Sequence, residues 1–429
     1  MDRRGFVMQS VAGATGLSLA ASIPHAVLGA NDRLRIGLIG CGGRGSFLLQ
    51  QVLRLAKSQN VEVVALCDVW KVNLQKAAAA VGSRQERKPR LFSRYGELLD
   101  MPDLDAVIIA TPDFAHTTIL IEATKRKKDV YVEKPMSSAL DQANLAVKLV
   151  HEAKTVVQVG TQRRSDARHQ AGAKLLQSGI LGKVSEVEAA WHDAAPRWAR
   201  DFSDVRREDV DWEQFLMFLP KEPFRPERLR RWQLYKDFTV GPPGLLGAHL
   251  IDVGLWFMND QLPVSACSHG GTYVWKDGRE HADTLESVLE YPKGFLLKYA
   301  TRLGNNHAIP EVVFFGTKGT FDTKSWTARG EGGGADALKD AITVPSASAI
   351  SEAGGTSQPT ALTPGQNDPR LRGDEHMVNW LECIRSRATT NAPVDVGYAH
   401  SVASIMCFQA WNAGRRQLFD AGTREIRAG

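Results

Sequence analysis

Gly40-Cys41-Gly42-Gly43-Arg44-Gly45 and, 23 residues after the last of these glycines, Asp68 have the residue types and spacing to hold a dinucleotide. The hexad follows an apolar run, Leu34 to Ile39, and opens a helical stretch at 46–57; Asp68 closes a second apolar run, Val61 to Cys67. In such a strand–turn–helix–strand unit the first glycine permits the tight turn and the second lets the backbone approach a pyrophosphate. The third lets the helix pack on the strand, and the helix N-terminus faces the phosphates. A carboxylate at position 68 accepts hydrogen bonds from the adenosine ribose and repels a 2′-phosphate, so NAD is favoured over NADP. Lys71 and Arg44 stand close enough in sequence to soften that preference by reaching a 2′-phosphate.

Two further motifs end the next apolar strands, where ligands bind in such sheets: Ala110-Thr111-Pro112-Asp113-Phe114-Ala115-His116 and Glu133-Lys134-Pro135. A lysine whose pKa is lowered by burial can take the proton of a hydroxyl and steady the alkoxide, which oxidation of an alcohol requires. His249, in Leu246-Gly247-Ala248-His249-Leu250-Ile251-Asp252, offers an imidazole at the start of an apolar helix for proton transfer near neutral pH. Asp252, one turn on, or Asp237 in Tyr235-Lys236-Asp237-Phe238 can supply a carboxylate to it. As metal ligands His249 and Asp252 lack a clear third partner, and no metal is assigned.

The elements that must position these groups alternate after Asp68: helix 72–81, strand 106–110, helix 117–127, strand 130–132, helix 140–153, strand 156–160. This predicts an α/β, doubly wound parallel sheet. Beyond about residue 180 longer alternating strands, 184–191, 266–275, 285–291, 295–301 and 312–321, predict an α+β domain on an open, mostly antiparallel sheet. The division is a Rossmann domain at 31–160 and a substrate and assembly domain at 161–429, with closing helices (376–387 and 398–414) packing back on the first. The insertion 193–240, rich in arginine and aromatics, reads either as sugar-pocket lining or as a surface excursion with small satellite cores. The Gly/Ala/Ser/Pro-rich stretch 323–368 reads as a flexible loop.

The composition is that of a globular chain, 43% hydrophobic and 24% charged, with 53 basic against 48 acidic residues and no basic block suited to nucleic acid. Arg3-Arg4-Gly5-Phe6, a weakly apolar stretch from Val11 to Ala21 and small residues around Ala30 read as a twin-arginine export signal at 1–30. A periplasmic or otherwise exported protein is expected. The signal's apolar part is too short to span a membrane. Five scattered cysteines without CxxC spacing indicate neither a disulfide framework nor a metal knuckle.

The order and spacing of the glycine turn, the Thr111-Pro112 and Glu133-Lys134-Pro135 motifs, Val159-Gly160-Thr161-Gln162-Arg163-Arg164 and Gly247-Ala248-His249 resemble the Gfo/Idh/MocA oxidoreductase family across nearly the whole chain. The resemblance implies that Gly40, Gly42, Gly43, Arg44, Gly45, Asp68, Thr111, Pro112, His116, Glu133, Lys134 and Gln162 surround the cofactor, with Thr111 and Pro112 on the nicotinamide side. It also implies that Lys134 lies between cofactor and substrate hydroxyl, and that Lys134, His249 and Asp252 move the proton. Arg163, Arg164, Tyr235, Asp237 and His249 would meet the substrate, a sugar, sugar acid or cyclitol. Where many relatives have an acid four residues before the histidine, this chain has Leu245. Family likeness and an open sheet both point to a homo-oligomer, a dimer or tetramer. Two other readings stand beside hydride transfer: cleavage of a glycoside through transient oxidation by bound NAD, and a non-catalytic sugar- or nucleotide-binding relative.

Overall fold

The first strands are nearly continuous apolar runs because both faces of their sheet are covered by helices. The computed structural model describes residues 32–307, 311–333, 336–352 and 374–429; the expected export signal lies outside them, as do 353–368 of the expected loop. β1 (Leu34–Ile39), β2 (Val61–Cys67), β3 (Arg90–Phe92), β4 (Ala106–Ile109), β5 (Asp129–Val132) and β6 (Val157–Val159) form a parallel sheet in the order β3-β2-β1-β4-β5-β6. The strand order reverses between β1 and β4, which opens a crevice at their carboxyl ends. Helices Gly43–Leu55, Lys71–Gly82, Asp113–Lys125 and Leu140–Ala153 carry the crossovers. β3 and the short helix Tyr95–Leu99 escape the sequence pattern, since a three-residue exposed edge strand has no period to detect.

The second sheet has ten strands: β7 (Val184–His192), β8 (Ser265–Gly271), β9 (Thr284–Tyr291), β10 (Phe295–Arg302), β11 (Val312–Gly316), β12 (Gly319–Asp322), β13 (Thr327–Arg329), β14 (Ile342–Thr343), β15 (Gln417–Asp420) and β16 (Glu425–Ala428). All neighbours pair antiparallel except β7 with β10. One face is buried and the other open: along β9 Leu285, Leu289 and Tyr291 point inward while Glu286, Val288 and Glu290 face out. The expected loop is corrected by β13, β14 and helix Ala347–Glu352. They form because Trp326, Ala328 and Val344 are buried, apolar anchors too sparse among small residues to show a period.

Helix Val394–Ala413 is apolar all round because it lies between the two sheets, against helix Leu140–Ala153 on one side and β8 on the other. Helix Asp374–Ser386 returns to the first sheet, where Trp380 packs edge-on against Tyr131 at 5.8 Å. The five cysteines are free thiols, four of them buried.

Candidate active site

The glycine turn fits a dinucleotide because Gly40 and Gly45 leave no room for a Cβ. Gly40 has φ +90°, and a Cβ on it would fall 2.6 Å from the Ala110 carbonyl; a Cβ on Gly45 would fall 1.8 Å from Gly40 O. Helix Gly43–Leu55 therefore starts hard against β1, with its free N–H groups aimed into the crevice. Asp68 clamps the turn, accepting from Cys41 N at 2.6 Å and Trp70 N at 2.7 Å, and burial pushes its pKa up to about 6. Gly40, Gly42, Gly43, Arg44, Asp68, Thr111 and Pro112 line one cleft of about 370 Å³. Thr111 Oγ1 is buried there with no hydrogen-bond partner, a donor left for a ligand.

Arg44 reaches from the glycine turn to the third motif. Its Nε meets Glu133 Oε1 at 2.6 Å and its guanidinium lies 4.9 Å over the Phe47 ring, so it is committed to the carboxylate and the expected reach to a 2′-phosphate is corrected. Gly160 makes room for Glu133, since a Cβ would lie 2.8 Å from its carboxyl carbon, and Gln162 Nε2 stands 3.5 Å from Glu133 Oε1. His116 is buried and faces Pro135 O (2.8 Å) and Thr111 O (2.9 Å) with its two ring nitrogens. It fastens the second motif to the third rather than reaching the cofactor, which corrects its expected role.

Lys134, joined to Pro135 by a cis peptide, donates from Nζ to Leu245 O at 2.7 Å. That carbonyl belongs to a π-helical turn, Pro243–Gly247, which precedes helix Ala248–Met258. A wider turn leaves carbonyls that the regular helix would consume, and such turns gather at functional sites. The position lacking the expected acid thus holds the lysine through its main chain. Burial lowers the Lys134 pKa, opposed by the charges of Asp113 and Glu133. Burial likewise drives His249 well below the ordinary histidine range, reinforced by Lys134 and Arg163, so the imidazole is neutral at neutral pH.

Asp252 is not free to assist His249. Its carboxylate takes Nε and Nη2 of Arg164 at 2.9–3.0 Å, both residues are buried, and the guanidinium stacks 5.0 Å over Trp256. The expected proton-transfer role of Asp252 and substrate role of Arg164 are therefore corrected to a buried ion pair. Arg163 pairs with Glu311 at 2.9 Å while its charge still presses on His249. Tyr235 and Asp237 are held by Arg228, whose guanidinium lies 4.8 Å over the tyrosine ring and 2.6 Å from Asp237 Oδ2, which explains these two residues as parts of the insertion's own packing.

Two features were missing from the sequence reading. Trp191 lies 6.4 Å from the His249 ring, tilted by 30°, and with Trp198, Trp232 and Trp275 it surrounds Leu245, Leu246 and Leu303 in a separate apolar cluster. Asp113, in the second motif, is buried, accepts from Thr239 Oγ1 at 2.7 Å, and has its pKa pushed up to about 6 by burial. Trp198 and Trp232 lie in the insertion read as possible sugar-pocket lining, whereas Trp191 and Trp275 stand outside it, and no spacing groups all four.

Residues 34–161 match the model described as oxidoreductase family, NAD-binding Rossmann fold, and 214–417 match its C-terminal alpha/beta domain. Inositol 2-dehydrogenase from Rubrobacter xylanophilus is 28% identical over 38% of this chain and 45% of its own length. Glycosyl hydrolase family 109 protein 2 from Shewanella sp. strain ANA-3 is 30% identical over 33% and 35%. The chain spans about half or less of the length of these two relatives. Levoglucosan dehydrogenase, solved with NADH, superimposes with a TM-score of 0.67 at 15% identity, covering 90% of this chain and 98% of that one. Matched in both halves of its fold, the chain belongs to the Gfo/Idh/MocA oxidoreductase family and carries its NAD-binding Rossmann domain.

Proposed function

We propose that this protein is an NAD-dependent oxidoreductase moving hydride between tightly held NAD(H) and a hydroxyl-bearing carbon of a sugar, sugar acid or cyclitol. The observation that carries this reading is Lys134: its Nζ is drawn out of water onto Leu245 O, near enough to Asp113 and His249 for their charges to act on one another. When bound, the nicotinamide supplies or accepts the hydride. Lys134, its pKa lowered by burial, takes the hydroxyl proton once deprotonated, and the ammonium it then carries is steadied by Leu245 O and by Asp113. Neutral His249 offers a ring nitrogen to the hydroxyl, and the tryptophan cluster offers flat apolar faces to a ring substrate. Thr111, the glycine turn and Asp68 fit the nucleotide.

The inositol dehydrogenase relative supports a cyclic polyol as substrate. The glycosyl hydrolase relative favours the second reading, in which the same proton and hydride transfers at one carbon loosen a glycosidic bond. Export by the twin-arginine route, the 31–160 and 161–429 division and a homo-oligomer built on the open sheet face belong to this proposal too. Arg3 and Arg4 support the first, and replacing both by lysine should retain active protein in the cytoplasm. The test of the chemistry is exchange of a labelled hydride from NADH into members of a sugar and cyclitol library. Label in a product carbon is the expected result, whereas no transfer to any member leaves only a binding protein.

A further inference from the structure

The insertion 193–240 does not hang from the surface; it is fastened to both turns that flank the glycine loop. Beyond Asp68, Asp211 N donates to Val69 O at 2.8 Å, Trp70 bridges Val210, and the Arg230 guanidinium lies 5.1 Å over the Trp70 ring. Beyond β4, the Phe114 ring is met by Phe215, Phe218 and Phe238 at 6.1, 5.8 and 5.3 Å, and Phe114 N donates to Phe238 O at 3.2 Å. Between these anchors Arg200, Gln214, Met217, Leu229, Arg230 and Gln233 form the other wall of the dinucleotide cleft.

The charges around the cleft are unevenly matched. Arg44 is neutralised by Glu133, and Arg230 has Asp204 at 3.8 Å. Arg200 has no carboxylate within ion-pair distance among the described residues; its Nη1 reaches only neutral acceptors, Arg230 O at 3.4 Å and Gln233 Oε1 at 3.3 Å. Partial burial and the like charge of Arg230 make its own charge harder to hold. A guanidinium set opposite a turn that offers N–H groups, with no acid to satisfy it, suits a bidentate phosphate. We propose that 193–240 is a cofactor clasp, and that Arg200 binds the pyrophosphate of the dinucleotide from across the cleft. Release of the nucleotide then requires the two anchors to part, a physical source for tight retention. The inference rests on the proposed function only in taking the cleft to hold a dinucleotide.

The test uses the full-length protein and its Arg200→Met, Arg200→Lys and Phe218→Ala variants. NADH and NADPH affinity and release into excess ADP-ribose are followed by nicotinamide fluorescence. Arg200 opens to the cleft and Phe218 is 52% exposed, so neither change empties a core. Arg200→Met should weaken both nucleotides alike, by roughly 10-fold or more and mostly through faster release, with lysine restoring part of the loss. Phe218→Ala, which removes an anchor without touching the phosphate ligand, should also speed release. Unchanged release in Arg200→Met, or a loss confined to NADPH, overturns the assignment of the pyrophosphate; unchanged release in Phe218→Ala overturns the clasp. Wild-type release in every variant together with hydride transfer to a sugar would end the clasp and leave the oxidoreductase. Accelerated release with no transfer to any sugar would do the reverse.

Discussion

The glycine turn at Gly40–Gly45 and the π-helical turn at Pro243–Gly247 are built for opposite charges. The first gathers main-chain N–H groups at a helix start, with side chains excluded by contacts as close as 1.8 Å, and so attracts an anion. The second leaves the Leu245 carbonyl outward, where it receives the Lys134 ammonium at 2.7 Å. In both, the main chain supplies the electrostatics, and the difference lies in how the side chains are treated. The glycine turn has no room for a Cβ at Gly40 or Gly45, whereas the π turn should be indifferent to the chemistry of the Leu245 side chain as long as its volume is kept.

The largest effect should come from the group that the π turn holds. Lys134→Met should lower turnover by roughly 10²–10⁴-fold, the usual share of a general base, while NADH affinity stays within about threefold. Retention of more than about a tenth of the wild-type rate, a barrier change under ~1.4 kcal/mol, would remove Lys134 from proton transfer. Next in size is Gly45→Ala, whose new Cβ collides with Gly40 O; it should weaken NADH by about 100-fold or more in a fluorescence titration. Unaltered affinity would mean that the turn can yield.

Asp113→Asn should act more gently and with a defined sign. Asp113 is the largest charged influence holding the Lys134 pKa up, so without it the alkaline-rising limb of the rate profile should move to lower pH. The same substitution reports on stability. The Asp113 pKa is raised from 3.8 to about 6 in the folded chain, so the native state binds the extra proton between those values, and stability falls as pH rises through that window. The variant should therefore gain on the wild type in denaturant midpoint above pH 6 and lose that gain below pH 4. The smallest effect is expected for Leu245→Met, which keeps the carbonyl and the volume: turnover within about threefold of wild type. A large loss there would show that the side chain, not the main chain, does the work.

The glycine turn was legible because its contacts are local in sequence: β1, the turn, its helix and Asp68 lie within residues 34–68, and the spacing carries the geometry. Lys134 was legible as a lysine at a strand end, but its acceptor is 111 residues away and is a carbonyl, which no side-chain pattern records. Asp252 was misread for the complementary reason. Helical spacing sets it one turn after His249, yet the bond that decides its role comes from Arg164, 88 residues earlier. The same holds for Arg44, claimed by Glu133 across 89 residues, and for the insertion, whose anchors on Val69 and Phe114 turn an aromatic-rich excursion into one wall of the cleft. β13 and β14 were lost because three and two residues hold no period.

Whether the proposed oxidoreductase keeps its nucleotide bound through turnover can be tested directly by one measurement. Protein purified with its nucleotide, dialysed, and mixed with a sugar and cyclitol library should change absorbance at 340 nm only up to one equivalent per site, with reversal when an acceptor sugar follows. Protein that arrives empty and reduces freely added NAD through many turnovers per site would contradict it and leave a conventional dehydrogenase in its place.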